Sequence, residues 1–145
     1  MKDYPHVEEP TLEEMKEGFH LKGKWKQDFF KNENPLVLEL GCGMGEYSVG
    51  LAEKFPEKNF LGVDIKGARI WQGATDALKK GLSNVGFLRI RIDWIETCFA
   101  QDEVDEIWIT FPDPQLKKRK GAKRLTHPDF LKRYNNILKK DGVIH

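Results

Sequence analysis

From Leu36 onward the chain alternates short apolar runs with amphipathic stretches, and that alternation predicts its elements. Leu36-Val37-Leu38-Glu39-Leu40 follows Pro35 and stops at a glycine cluster, the pattern of a parallel strand buried on both faces. Ser48 to Phe55 carries Leu51, Ala52 and Phe55 at helical spacing and is closed by Pro56. Asn59 to Asp64 predicts a second strand; Ala68 to Lys80 predicts a helix with Trp71, Thr75 and Leu78 on one face and Gly81 as its C-cap. Gly86 to Ile92 predicts a third strand, Trp94 to Ala100 a short helical turn, and Val104 to Thr110 a fourth strand. Pro128, at a first helical position, opens Asp129 to Lys140, whose apolar face is Phe130, Leu131, Tyr134, Ile137 and Leu138 and which Asp141-Gly142 ends. A fifth strand then starts at Val143-Ile144-His145, where the chain stops. The final strands are therefore expected to be missing, with Phe130, Tyr134 and Ile137 under-covered. Ahead of the first strand, Pro10 to Phe30 is a polar lead-in in which Trp25 and Phe29, at i,i+4, pin a short helix onto the body.

Strands alternating with helices of this length imply right-handed crossovers and an α/β fold: an open, mostly parallel, Rossmann-like sheet with helices on both faces. The expected organisation is a lead-in over residues 1–34 and one ligand-binding domain over residues 35–145, a size that suits a single core. Such sheets bind ligands at the carboxyl ends of their strands. With 39% apolar and 32% charged residues, the composition is that of a globular domain. No run approaches the ~18 apolar residues of a membrane span, and Met1 to Pro10 lacks an apolar signal core, so a cytoplasmic location and no membrane partner are expected. Cys42 and Cys98 stand far apart, as do His6, His20, His127 and His145, which predicts neither a disulfide framework nor a metal site.

The net charge of +1 conceals a partition. Residues 1–112 hold 14 basic and 20 acidic side chains, whereas residues 113–145 hold 10 basic and 3 acidic ones. Lys117, Lys118, Arg119, Lys120, Lys123 and Arg124 place six cations in eight residues. A basic pole on an otherwise acidic domain points to a local face for a polyanion.

The candidate site begins at Gly41, Gly43 and Gly45, where the first strand turns into the first helix. Glycines there supply positive φ and let backbone approach a ligand at a helix N-terminus. Dinucleotide enzymes space these glycines G-x-G-x-x-G. Here the spacing is G-x-G-x-G, with Glu39 two residues ahead, and that acid would repel a pyrophosphate. S-adenosylmethionine carries an ammonium and a sulfonium and no phosphate, so charge complementarity favours the methyl donor. Asp64, ending the second strand 23 residues after Gly41, stands where an acid reaches ribose hydroxyls. Asp93, after the third strand, is placed to accept from the exocyclic amine of adenine. The fourth strand runs into Phe111-Pro112-Asp113-Pro114, whose prolines fix the backbone around Asp113 opposite the glycine loop.

Together, the glycine loop, the strand-end acids, Phe111-Pro112-Asp113-Pro114 and the segment from Lys117 to Leu125 resemble the tRNA (guanine-N7)-methyltransferases from about Leu36 onward. The resemblance implies a class I methyltransferase sheet, S-adenosylmethionine as cofactor and 7-methylguanosine in tRNA as product. It carries cofactor contacts to Glu39, Asp64, Asp93 and Asp113, and substrate contact to Lys117; Arg119, Lys123, Arg124 and Leu125 keep the family pattern. Asp64, Gln115, Lys120 and Ala122 depart from it, standing where glutamate, tryptophan, histidine and lysine are usual. Asp113 is the expected catalytic residue, as a fixed carboxylate beside a ring that gains positive charge, and Lys117, Arg119, Lys123 and Arg124 are the expected tRNA contacts. A cofactor-binding, RNA-binding module without catalysis is the alternative, and a nicotinamide-dependent oxidoreductase is disfavoured by Glu39 and the glycine spacing. The sequence leaves the oligomeric state open.

Overall fold

The computed structural model describes residues 7–41, 46–65, 67–109 and 128–145. Six strands form one sheet: β1 (Val7–Glu8), β2 (Leu36–Leu40), β3 (Asn59–Asp64), β4 (Val85–Arg89), β5 (Val104–Ile109) and β6 (Leu138–Ile144). Their order is β1-β4-β3-β2-β5-β6, and every neighbouring pair is parallel. The helices are α1 (Leu12–Glu17), α2 (Glu46–Lys54), α3 (Gly67–Lys79), α4 (Ile95–Cys98) and α5 (Pro128–Ile137), with a π-helical turn at Trp25–Phe30 and a 3₁₀ turn at Ile92–Trp94. Strands β3 and β4 extend the sheet to one side of β2, and β5 and β6 extend it to the other, so the direction of winding reverses between β2 and β5. In such sheets a crevice opens beyond the carboxyl ends at that reversal.

Because side chains alternate across a strand, β2 feeds two cores. Leu36, Leu38 and Leu40 join Met15, Phe19, Leu21, Trp25, Ile95 and Tyr134, so the lead-in, α4 and α5 cover this face. Val37 joins Val49, Ala52, Phe60, Ile70, Ala74 and Phe87 under α2 and α3. The expected α/β architecture with both faces covered is what the chain forms.

Trp25 holds the lead-in as the i,i+4 pair predicted. It is fully buried, donates Nε1–H to the Cys98 carbonyl at 2.8 Å and stacks on Phe99 with centroids 5.2 Å apart. Phe29 meets it edge-on at 5.2 Å. The Glu103 carboxylate fastens the same segment by accepting from the backbone N–H groups of Gly23 (2.8 Å), Trp25 (3.2 Å) and Ala100 (2.8 Å).

Four expectations need correction. On α3 the face of Trp71, Thr75 and Leu78 points outward, with Leu78 and Trp71 exposed, whereas Ile70, Ala74 and Ala77, one residue earlier in register, pack on the sheet. The third strand ends at Arg89, because Ile92–Trp94 tightens into a 3₁₀ turn. The last helix stops at Ile137, and Leu138 is already in a strand, opposite Val104. Asp141-Gly142 lies inside that strand at a register shift rather than at a helix end. A Cβ on Gly142 would stand 2.6 Å from Leu138 Cγ and 2.9 Å from the Asp105 carbonyl oxygen, so close packing demands glycine there. Finally, Tyr134 and Ile137 are buried rather than under-covered, because the lead-in occupies the same core as α5.

Candidate functional site

Glu39 is the interior member of the site. It lies on the α2 face of β2, only 3% exposed, level with Gly62 on β3 and Trp108 on β5. A buried carboxylate is costly unless it is hydrogen-bonded. Ser48, in the first turn of α2 and itself fully buried, donates its hydroxyl to Glu39 Oε1 at 2.5 Å. This pairing ties the strand before the glycine turn to the helix after it. Beside Glu39, the Trp108 ring stacks on His145 at 4.3 Å, and its buried Nε1 has no hydrogen-bond partner among the described residues.

Gly41 turns the chain at φ +68°, a left-handed conformation that glycine adopts without a steric penalty. Its N–H donates to the Val63 carbonyl at 2.8 Å, which carries the ladder one residue beyond β2 and brings Gly41 alongside Asp64. Asp64 is half-buried at the end of β3 and accepts the Ile65 N–H at 2.7 Å. Across the sheet its register partner is Arg89. That guanidinium donates to the Ile65 carbonyl at 2.9 Å and pairs with the Glu9 carboxylate at 3.0 Å. Asp93 follows on the 3₁₀ turn, exposed, with Arg91 Nη2 at 3.2 Å from its carboxylate and Arg133 donating to its carbonyl at 2.9 Å.

Glu39, Gly41 and Asp64 thus meet at adjacent strand ends, and Asp93 stands just past the next one. Gly43, Gly45, Asp113, Lys117, Arg119, Lys123 and Arg124 lie outside the described residues. Sequence reasoning passed over Ser48, Arg89 and Arg91. A serine in the first turn of the helix after a glycine loop, and an arginine two residues before a turn aspartate, were the available signals; Arg89 offered none, because its role depends on register. Among the described residues no group of three His, Cys, Asp or Glu side chains could hold a metal ion, and no helix is long and apolar enough to cross a membrane.

Solved structures share this architecture. An antibiotic related methyltransferase superposes with a TM-score of 0.64 at 22% identity, covering 77% of this chain and 56% of the other. M. jannaschii TYW2 in complex with AdoMet superposes at 0.60 with 20% identity, over 79% and 45% of the two chains. At these identities the likeness establishes the fold alone, an open parallel α/β sheet of the Rossmann-like kind. Sequence comparison reaches further. The tRNA (guanine-N(7)-)-methyltransferase of Christiangramia forsetii is 58% identical over 143 residues, 98% of this chain and 64% of the relative. The enzyme of the same name from Porphyromonas gingivalis is 54% identical over 148 residues, 100% of this chain and 60% of the relative. The chain therefore spans somewhat under two thirds of the length of these relatives. A family model described as "Putative methyltransferase" matches residues 33–145. The chain belongs to this methyltransferase family, among relatives that carry the name tRNA (guanine-N(7)-)-methyltransferase.

Proposed function

We propose that this chain is the cofactor-binding part of a cytoplasmic enzyme that transfers a methyl group from S-adenosylmethionine to N7 of a guanosine in tRNA. Residues 35–145 are the ligand-binding domain and residues 1–34 its lead-in. The observation that carries the reading is the alignment of Glu39, Gly41 and Asp64 at adjacent strand ends, in a chain 58% identical to a protein named for this reaction.

The residues present suit that cofactor. Asp64 offers a half-buried carboxylate at the position from which acids hold ribose hydroxyls. Gly41 brings backbone close without a side chain, and the buried carboxyl of Glu39 offers acceptor oxygens, which suit an ammonium or hydroxyl donor better than a pyrophosphate. When bound, the cofactor supplies an electrophilic methyl group on a sulfonium.

Guanine N7 carries an in-plane lone pair and no proton, so the chain has no general base to provide. Its task is orientation: holding N7 in line with the methyl carbon at near-attack distance. As the N7 lone pair took up the methyl group, sulfur would keep the S–C pair and positive charge would grow on the base. Asp113, the proposed catalytic residue, provides a fixed carboxylate near that charge. Gly43 and Gly45 complete the cofactor loop, Asp93 receives the adenine amine, and Lys117, Arg119, Lys123 and Arg124 hold the tRNA.

The test is nucleoside mass spectrometry of a tRNA transcript incubated with protein and S-adenosylmethionine. The expected product is 7-methylguanosine, strongly reduced in Asp113→Ala. Binding of S-adenosylhomocysteine and tRNA without any methylation would instead favour a binding module.

A further inference from the structure

We propose that the lead-in forms part of the cofactor site, with Leu12 and Met15 walling the subsite for the planar base of S-adenosylmethionine. This rests on the cofactor reading above. β1 pairs with β4 in parallel, Val7 opposite Phe87 and Glu8 opposite Leu88. The residues after Glu8 therefore emerge at the carboxyl edge of the sheet beside Arg89, which is itself level with Asp64.

A cavity of about 350 Å³ opens there, between Leu12 and Met15 of the lead-in and Ile65, Ile90 and Trp94 of the body. That volume falls at the lower end of small-molecule sites. Ile65 follows Asp64 in the chain, and Arg91 and Trp94 flank Asp93, so the cavity lies between the residues next to the two acids proposed to hold the ribose and the amine, with Glu9, Arg89 and Arg91 at its polar margin.

Leu12 is 65% exposed and Ile65 49%, and both line the cavity. Large apolar side chains that stay in water and converge on one concavity provide contact surface for the apolar faces of a flat ring. Arg89 sets the distance between the two walls, because one guanidinium donates to the Ile65 carbonyl and pairs with Glu9. The base subsite is thus built from two separated parts of the sequence, the edge strand positioning one wall and the β3 and β4 ends the other.

Calorimetric titration of the intact protein with S-adenosylhomocysteine tests this. Leu12 is the first helical residue after the Thr11 cap, where an added carboxylate suits the helix dipole, so Leu12→Glu retains the fold, as its thermal midpoint will report. Affinity is expected to fall by at least about tenfold in Leu12→Glu, the scale of one apolar side chain's contact, and to be retained in Leu12→Met. Leu78→Glu, on the outer face of α3 and 51% exposed, controls for added charge and is expected to match the unmodified protein. Unchanged affinity in Leu12→Glu, or an equal loss in Leu78→Glu, overturns the proposal while leaving the cofactor assignment standing. Failure of the unmodified protein to bind S-adenosylhomocysteine overturns both.

Discussion

Asp105 lies near the start of β5, where its carboxylate accepts the Leu36 N–H at 2.7 Å and holds Lys26 at 3.1 Å and Lys139 at 2.9 Å. Burial alone would raise its pKa, but the Leu36 amide and the two lysines outweigh burial and hold it below the ordinary carboxylate value. Lys139 is raised in turn, chiefly by its hydrogen bond to Asp105. A depressed carboxylate stabilises the fold above its unfolded pKa, about 3.9, and ceases to do so as pH falls through the folded value. A raised lysine stabilises below its unfolded pKa, about 10.4, and ceases to do so as pH rises through the folded value. Asp105→Ala is expected to lose about 1–3 kcal/mol at pH 7, with the difference from the parent shrinking once the pH is below about 4. Urea unfolding at pH 7 and at acid pH measures this, and a difference that persists undiminished in acid counts against the ionic explanation. Asp64, at the carboxyl end of β3, is proposed to act on the ligand instead. Asp64→Ala is expected to weaken S-adenosylhomocysteine binding by about 1–3 kcal/mol through unsatisfied ribose hydroxyls; parent-like affinity by calorimetry would remove it from the site.

Trp25 shows how an element with little regular structure becomes part of the core. Its ring is fully buried between Phe19, Phe29 and Phe99, and its N–H closes on the Cys98 carbonyl. Trp25→Ala is expected to cost about 3–5 kcal/mol, as large-to-small changes of buried aromatics do. Leu78→Ala, on the outer face of α3 and 51% exposed, should stay within about 0.5 kcal/mol in the same chemical unfolding series. This contrast also explains which elements were legible beforehand. β2 and β3 were predictable to the residue because their apolar runs are bounded by Pro35, Gly41 and Asp64. The α3 face was misassigned because Ile70, Ala74 and Ala77 have the same i, i+4, i+7 spacing as Trp71, Thr75 and Leu78; small residues turned inward, where helix and sheet approach closely. Leu138 fits either a helical stripe or a strand, so nothing local marked the end of α5. β1 is two residues long and the π-helical turn has no period to detect. The strand-end acids Glu39 and Asp64 could be read because the strands could. Glu9 on Arg89 could not, since that pair depends on contact between elements that the sequence keeps apart.

The division of charge gives the molecule a direction. Residues 1–112 sum to −6 and residues 113–145 to +7, a partition that fits the proposal that the acids at the strand ends and the cations of the last segment serve different ligands. Part of the basic pole is neutralised internally, Arg133 against Glu96 at 3.7 Å and Lys139 against Asp105 at 2.9 Å. The six cations between Lys117 and Arg124 follow Asp113 in the chain, which links the proposed polyanion grip to the proposed reaction centre. Neutralising phosphates with lysine and arginine releases condensed counterions, and affinity then falls linearly with the logarithm of salt concentration. Binding of folded tRNA is therefore expected to weaken steeply between about 50 and 200 mM salt, and Lys117→Ala, Arg119→Ala, Lys123→Ala and Arg124→Ala are each expected to flatten that dependence by up to about one unit of slope. Cofactor affinity in these variants should remain at the parent level, because Glu39 and Asp64, proposed to hold the cofactor, lie on β2 and β3. Filter binding across a salt series supplies the slopes. An affinity indifferent to salt, or four variants with the parent slope, would place the tRNA contact elsewhere on the molecule.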